Sequence, residues 1–502
     1  MKEQDYNIHN RSWGKSIFKH GKWYLLSSLL AKGSQIYLLP VYTRYLPPSE
    51  FGILNSLNVI ALLLPIFISL YLDSAFGRFF HDFKHSKDDL ANLFSTVYWF
   101  VLGFGAIVVV VTVTTSSLWV PSLLHIPVWP YVILAFVPPL FLQLGNLGLV
   151  FLKQSLQAKQ TTAVDVSTTI VGILVTLPLL IIFNMGVIAR LWGNVAMAVF
   201  IAGFYTIYFY RRGLLKPVFN KKILCSCLGY SIPLIPNIAG IWLAGMSDRL
   251  VLAKYTGLAT VGIYSLAYQI GMGLYVVQDA ITQVTGPISM SGLIHDKKKA
   301  KNKIAKLTLV LFGFMLFCHL GLVYFSKELV MLLSTKAYYG AYKLVGIIGL
   351  AYVFHCLYRV FTDIISYHKK VWIISLASVF RGGIGLALNL IFVPIYGYFV
   401  SGYAFVVSVF IYFMIIFIFS QRLEKINIQW NKVIKILFVY ILLILLAVYS
   451  LFNLEVSLAL MFVKMTIVLL FGVFVYYVCN LKSYSKMLLS AIRLTKSETD
   501  NI

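Results

Sequence analysis

Several charged side chains lie inside long apolar stretches that should exclude them. Arg381 stands near the middle of the run 371–393 and is followed by Gly382, Gly383 and Gly385, small residues that let another helix or a ligand approach closely. Arg359 and Asp363 are spaced i, i+4 in the preceding run, so they share one helical face, and the same spacing allows a simple intrahelical ion pair. Lys32 with Gln35 interrupts the first run, while Asp73 and Asp279 sit inside later ones. Asp165, Arg190, Asp248 and Arg249 fall near run ends, where snorkelling or headgroup contact suffices, and Lys464, inside the last run, is also expected to snorkel. A charge at the centre of a bilayer costs about 2.5–3.5 kcal/mol, so each of the others needs a partner or a wet cavity. Arg and Lys in a cavity would hold an anion. For Arg381 the plain alternative is a carboxylate on a neighbouring helix.

The elements that must position these residues are membrane-spanning helices. Of 502 residues 60% are hydrophobic and 12% charged, too apolar for a chain whose surface faces water. Runs of about 20 apolar residues, the length a helix needs to cross a hydrocarbon core, recur along the chain. The expected spans are 23–42, 54–76, 93–117, 130–152, 163–183, 189–210, 224–247, 258–285, 304–325, 342–366, 371–393, 398–420, 433–452 and 457–480. Their continuity excludes a β-barrel, whose strands alternate. The fold class is therefore an all-α polytopic membrane protein of about fourteen spans. An even number puts both termini on one face. Most of the 42 Lys and Arg fall in the tails and connectors of that face, which makes it cytoplasmic and removes the nucleic-acid reading of the +25 charge.

The basic connector RRGLLKPVFNKK (211–222) divides the chain. The expected organisation is a basic N-terminus (1–22), a six-helix bundle (23–210), a linker (211–222), a second six-helix bundle (223–420), an extra helix pair (433–480) and a tail (481–502). YLPPSEFGI (45–53) and YTGLATVGI (255–263) match at a constant offset of 210 residues, each where a first outer loop runs into a second span. Duplicated bundles of this kind enclose a central cavity in many transporters. Pro233 and Pro236 should kink or split the seventh span, and Pro138, Pro139 and Pro178 should do the same elsewhere.

No connector is long enough to house a soluble catalytic domain, and GxxxxGK[ST], HExxH and GxSxG are absent from the sequence. The five cysteines form no CxxC pair. The expectation is a non-enzyme without cofactor or metal.

TRYLPPSEFGILNSL (43–57), DSAFGRFFHD (73–82), YSIPLIPN (230–237) and SDRLVLAKYTGLATVGIYSLAYQI (247–270) resemble segments of Wzx-type polysaccharide flippases in the multidrug/oligosaccharidyl-lipid/polysaccharide exporter superfamily. The resemblance covers most of residues 15–420. It implies flipping of an undecaprenyl-pyrophosphate-linked oligosaccharide across the bacterial cytoplasmic membrane by alternating access, coupled to an ion gradient. On that reading Arg381, Arg359, Lys32, Gln35 and Arg249 are the substrate-binding candidates. Asp363, Asp279 and Asp248 are the ion-coupling candidates, and Arg44, Asp73 and Arg78, within or beside the quoted motifs, are gating positions. Membrane lipids, a polysaccharide polymerase and a chain-length regulator are the implied partners. A lipid II flippase or a multidrug exporter of the same superfamily is the nearest alternative, and a membrane-embedded polymerase or glycosyltransferase the alternative from another class.

Overall fold

A computed structural model describes residues 37–279 apart from 156, residues 281–282 and 293, and residues 297–480 apart from 454. Among them thirteen helices are long and apolar enough to cross a membrane. Most of the expected span 23–42, with Lys32 and Gln35, lies outside the described residues, as do the terminal segments 1–22 and 481–502. The chain packs as two compact units, one up to Gly262 and one from Ile263.

The first unit contains α1 (Leu39–Tyr45), α2 (Pro48–Ser69), α3 (Leu72–Phe83), α4 (Lys87–Leu124), α5 (Tyr131–Phe136), α6 (Pro138–Gln154), α7 (Ala158–Ile181), α8 (Val187–Arg211), α9 (Lys221–Ser231), α10 (Ile235–Tyr255) and the first turn of α11 (Leu258–Gly271). Helix starts follow local chemistry. Pro47 and Pro48 open α2, where a missing N–H is harmless. Glu50 in its first turn reaches the start of α8, its Oε2 accepting from the Val187 N–H at 2.9 Å. Asn220 caps α9 by accepting from the N–H groups of Lys222 and Ile223. The Ser95 hydroxyl ties the 211–222 connector to α4, donating to the Leu214 carbonyl and accepting from the Lys216 N–H.

Proline breaks the helix at two of the expected places, whereas Pro178 stays inside α7, one turn from its end, where a single lost rung does not part the helix. A single 3₁₀ turn, Ile232–Leu234, separates α9 from α10, and α5 gives way to α6 at Pro138. Sequence did not announce the break between α2 and α3, where Leu70 (φ 48°) and Tyr71 (φ 61°) are both left-handed. Two bulky residues in that region cost roughly 1–2 kcal/mol each, so tertiary contacts must hold them. Ser69 does so: its hydroxyl donates to the Pro65 carbonyl and accepts from the Tyr71 N–H and from Gln143 Nε2 at 2.9 Å.

The repeated segments meet each other. A Cβ on Gly52 would stand 1.8 Å from the Leu258 carbonyl oxygen, and one on Gly262 would stand 2.0 Å from that of Pro48. Pro48 and Leu258, like Gly52 and Gly262, are related by the 210-residue offset, so the contact is reciprocal, as a local two-fold relation requires.

The second unit contains the rest of α11, then α12 (Lys297–Tyr324), α13 (Ser326–Leu333), α14 (Tyr342–Tyr367), α15 (Val371–Tyr396), α16 (Phe399–Leu423) and the pair α17 (Trp430–Asn453) and α18 (Leu458–Val478). Polar contacts dock the pair onto the bundle. Tyr440 Oη lies 2.6 Å from His319 Nδ1, His319 Nε2 lies 2.8 Å from the Gly346 carbonyl, and Tyr324 donates to the Leu443 carbonyl. A carbonyl only accepts, so Nε2 carries the His319 proton and Nδ1 takes that of Tyr440. Lys464 does not snorkel. It is 2% exposed, with its Nζ 2.6 Å from Glu328 Oε1 on α13, and the carboxylate meets the charge inside the protein.

At the connector following α16, buried Glu424 gathers Lys297, Lys301 (Nζ to Oε2 2.5 Å) and His368 (Nε2 to Oε1 3.2 Å). Burial alone would raise this carboxyl, but the two lysines outweigh it and hold it at about 2, below its ordinary 4.5. Its contribution to stability is therefore complete above pH 4.5 and disappears as pH falls toward 2. Glu424→Gln should lower the thermal midpoint of the detergent-solubilised protein at neutral pH, a loss on the order of 1 kcal/mol, and flatten its acid limb. An unchanged acid limb would contradict this assignment.

Candidate functional site

Four segments of the second unit bring polar groups to one place: residues 275–279, α14, α15 and α16. On α14 the stripe Tyr352, His355, Arg359 and Asp363 repeats at helical spacing. Gln278 Oε1 lies 2.9 Å from His355 Nδ1, and Tyr358 Oη lies 2.5 Å from its Nε2. Because an amide oxygen only accepts, Nδ1 carries the histidine proton and Nε2 accepts from Tyr358. The Tyr358 ring meets Tyr412 of α16 edge-on at 4.5 Å, and Ser378 of α15 lies 3.5 Å from the Tyr412 hydroxyl.

Arg381 enters this aromatic cluster from α15. Its guanidinium lies 5.7 Å from the centre of the Phe405 ring and 5.9 Å from that of Tyr412. It joins none of the ion pairs among the described residues, and its Nε is buried without a hydrogen-bond acceptor. The plain alternative, a carboxylate on a neighbouring helix, is thus not realised there. Arg359 is exposed along its face of α14, and the ion pair that its spacing to Asp363 allows does not form. Asp363 feels Arg359 electrostatically without touching it. The charges of both arginines reach His355, Tyr358 and Tyr412, so two cations surround one cluster. Asp279 lies beside Tyr275, whose ring packs on His355. An orphaned guanidinium donor with a second cation nearby is an arrangement that an anion completes.

The other candidates have local surroundings. Asp248 and Arg249 were expected near a span end, but α10 continues to Tyr255 and buries both, at 7% and 4% exposure. Arg249 Nη1 lies 3.1 Å from Asp248 Oδ1 and donates to the Gly245 carbonyl, so the two charges meet each other rather than headgroups. Arg190 lies over the Tyr42 ring at 5.5 Å, and Asp165 acts on Tyr205. Arg78 forms an exposed i, i+4 pair with Asp82 at 2.9 Å, and Arg44 is exposed in the last turn of α1. Asp73, at the start of α3, receives Gln143 Nε2 at 3.4 Å and Asn146 Nδ2 at 3.2 Å.

Sequence reasoning missed His355, Gln278, Tyr358, Gln143 and Asn146. The first was within reach, since His355 is spaced i, i+4 from Arg359. Tyr358 stands one turn further along the same helix, while Gln278, Gln143 and Asn146 become visible only when helices distant in sequence are packed.

Long apolar helices with interrupted spans and, among the described residues, a buried guanidinium donor without an acceptor define a polytopic membrane protein of the transporter class. The chain belongs to the polysaccharide biosynthesis protein family, which it matches over residues 41–343. It is 22% identical over 304 residues to a protein named for the Lsg locus of Haemophilus influenzae, covering 60% of this chain and 72% of that one. Its fold is similar to that of the lipid II flippase MurJ in an inward closed conformation, with a TM-score of 0.66 and 16% identity over 94% of this chain and all of that one. It is also similar to an inward-facing multidrug resistance MATE transporter of the MOP superfamily, with a TM-score of 0.64 and 14% identity over 80% of this chain and 94% of that one. The resemblance to Wzx-type flippases drawn from the four motifs agrees with this family and this fold.

Proposed function

We propose that the protein is a flippase that carries undecaprenyl-pyrophosphate-linked oligosaccharide across the bacterial cytoplasmic membrane by alternating access, with Arg381 and Arg359 receiving the pyrophosphate. The observation that carries this reading is the Arg381 guanidinium, held between Phe405 and Tyr412 with no carboxylate partner among the described residues and with its Nε unfilled. A cationic drug would be repelled by this pair, which favours an anionic cargo over the multidrug reading. Asp363, close enough to Arg359 to act on it, is the proposed proton carrier, with Asp279 second to it. Arg249 and Asp248 neutralise each other, so the main anion-binding role goes to the arginines of the second unit. Arg44 and Arg78 are assigned to loop gating. Membership of the polysaccharide biosynthesis family supports a lipid-linked glycan as cargo.

Deletion of the gene, followed by analysis of surface glycan and of lipid-linked intermediates, tests the reading. Loss of surface glycan with intermediates trapped on the inner leaflet is expected. Polymerised glycan still reaching the surface in normal amount would refute it. Both termini are proposed to be cytoplasmic because most basic residues lie in the connectors of that side. Reporter fusions at residue 502 and in the 326–341 connector should report opposite faces, and a shared face would overturn the orientation.

A further inference from the structure

The interruption between α2 and α3 places a half-buried carboxylate, Asp73, in the first turn of α3. Asp73 joins none of the ion pairs among the described residues, whereas Asp248 meets Arg249 and Glu328 meets Lys464. Everything that touches its carboxylate is neutral. Its own N–H and that of Ser74 donate to it, as do the carboxamides of Gln143 and Asn146. Neutral donors solvate a carboxylate but leave its charge uncancelled, and in a membrane protein an uncancelled charge is costly.

The surrounding side chains are those a hard cation prefers. Gln143 and Asn146 are spaced i, i+3 on α6, so both project toward Asp73, and Gln143 also bridges to the Ser69 hydroxyl. Turning each amide over exchanges its nitrogen for its oxygen without moving the rest of the side chain. That turn releases one lone pair of Ser69, which now accepts from Gln143, and converts the lining to carboxylate, amide and hydroxyl oxygens. The amino end of α3, worth about half a positive charge, offsets only part of the charge on Asp73.

We propose that Asp73, Gln143, Asn146 and Ser69 form a binding site for a monovalent alkali cation of the sodium class. One formal negative charge matches one positive charge, whereas divalent oxygen sites draw on several carboxylates, and no group of three or more acidic, His or Cys side chains occurs among the described residues. The site goes beyond the proposed function, since it can bind its cation without any cargo. If the flippase reading also holds, it supplies a coupling ion distinct from a proton on Asp363.

The test uses the full chain, purified and reconstituted in lipid nanodiscs without cargo at fixed pH and constant ionic strength. Thermal midpoints are measured as choline chloride is replaced by sodium, lithium or potassium chloride. A saturable rise with sodium is expected, absent in Asp73→Asn and with its half-saturation moved up about tenfold in Asn146→Ala, which keeps the charge. If Asp73→Asn fails to accumulate, the Asn146→Ala shift decides the matter. Equal midpoints in sodium, potassium and choline would overturn the site, as would an undiminished sodium response in Asp73→Asn or an unshifted one in Asn146→Ala. Stabilisation by acid alone, without a sodium response, would assign Asp73 to a proton and also refute the proposal.

Discussion

Replacing Arg381 by Ala should lower glycan export roughly 30- to 150-fold at equal protein level, with the chain still inserted and abundant. The charge-assisted hydrogen bonds that a phosphate loses are worth about 2–3 kcal/mol, at 1.36 kcal/mol per tenfold. Arg381→Lys should recover only part of the loss. An ammonium restores the point charge but not the planar fork, and it fits less well over Phe405 and Tyr412. A purely structural Arg381 predicts a different pattern, in which both variants lose abundance and the surviving protein exports normally. Export normalised to membrane protein therefore separates the two, and undiminished export by an abundant Arg381→Ala variant would remove the arginine from the cargo site. Arg359→Ala should be milder, because Arg359 is exposed and water can take over part of its role.

The spans were legible because lipid imposes long continuous apolar runs, which cannot be mistaken for half-buried strands or loops. The 3₁₀ turn at Pro233 was legible for a similar local reason, since two prolines three residues apart remove two rungs of the ladder in one turn, whereas the lone Pro178 leaves α7 continuous. The left-handed pair Leu70 and Tyr71 was not, because nothing in either residue type prefers that conformation. It is imposed by Ser69 and by Gln143, a residue more than seventy positions along the chain. The same distinction explains the charges. Arg359 and Asp363 have the spacing of an ion pair, but with the cation on the N-terminal side, the less favourable order on a helix, and the side chains part. The partner of Lys464 is Glu328 on α13, and no local signal in the last span points there. Depth in the span and the glycines that follow single out Arg381; its aromatic cradle needs α16 to be in place.

Gly52→Ala and Gly262→Ala should each destabilise the protein by about 1–3 kcal/mol or more, and the double variant by much less than their sum. Each added methyl group meets a backbone carbonyl, at 1.8 Å for Gly52 and 2.0 Å for Gly262, and neither carbonyl can swing aside as a flexible side chain would. The only relief is for α2 and α11 to move apart by more than an ångström, which gives up the packing that small residues allow at a close helix crossing. Because the contact is reciprocal, one separation accommodates both methyl groups, so the second substitution meets a crossing that the first has already opened. Two independent sites would instead give additive losses. Thermal midpoints of the wild type, both single variants and the double variant complete the cycle. Additivity would mean that the two glycines act separately and that their 210-residue relation has no mechanical meaning, whereas a strong shortfall would make the crossing a single joint built from both copies of the repeat.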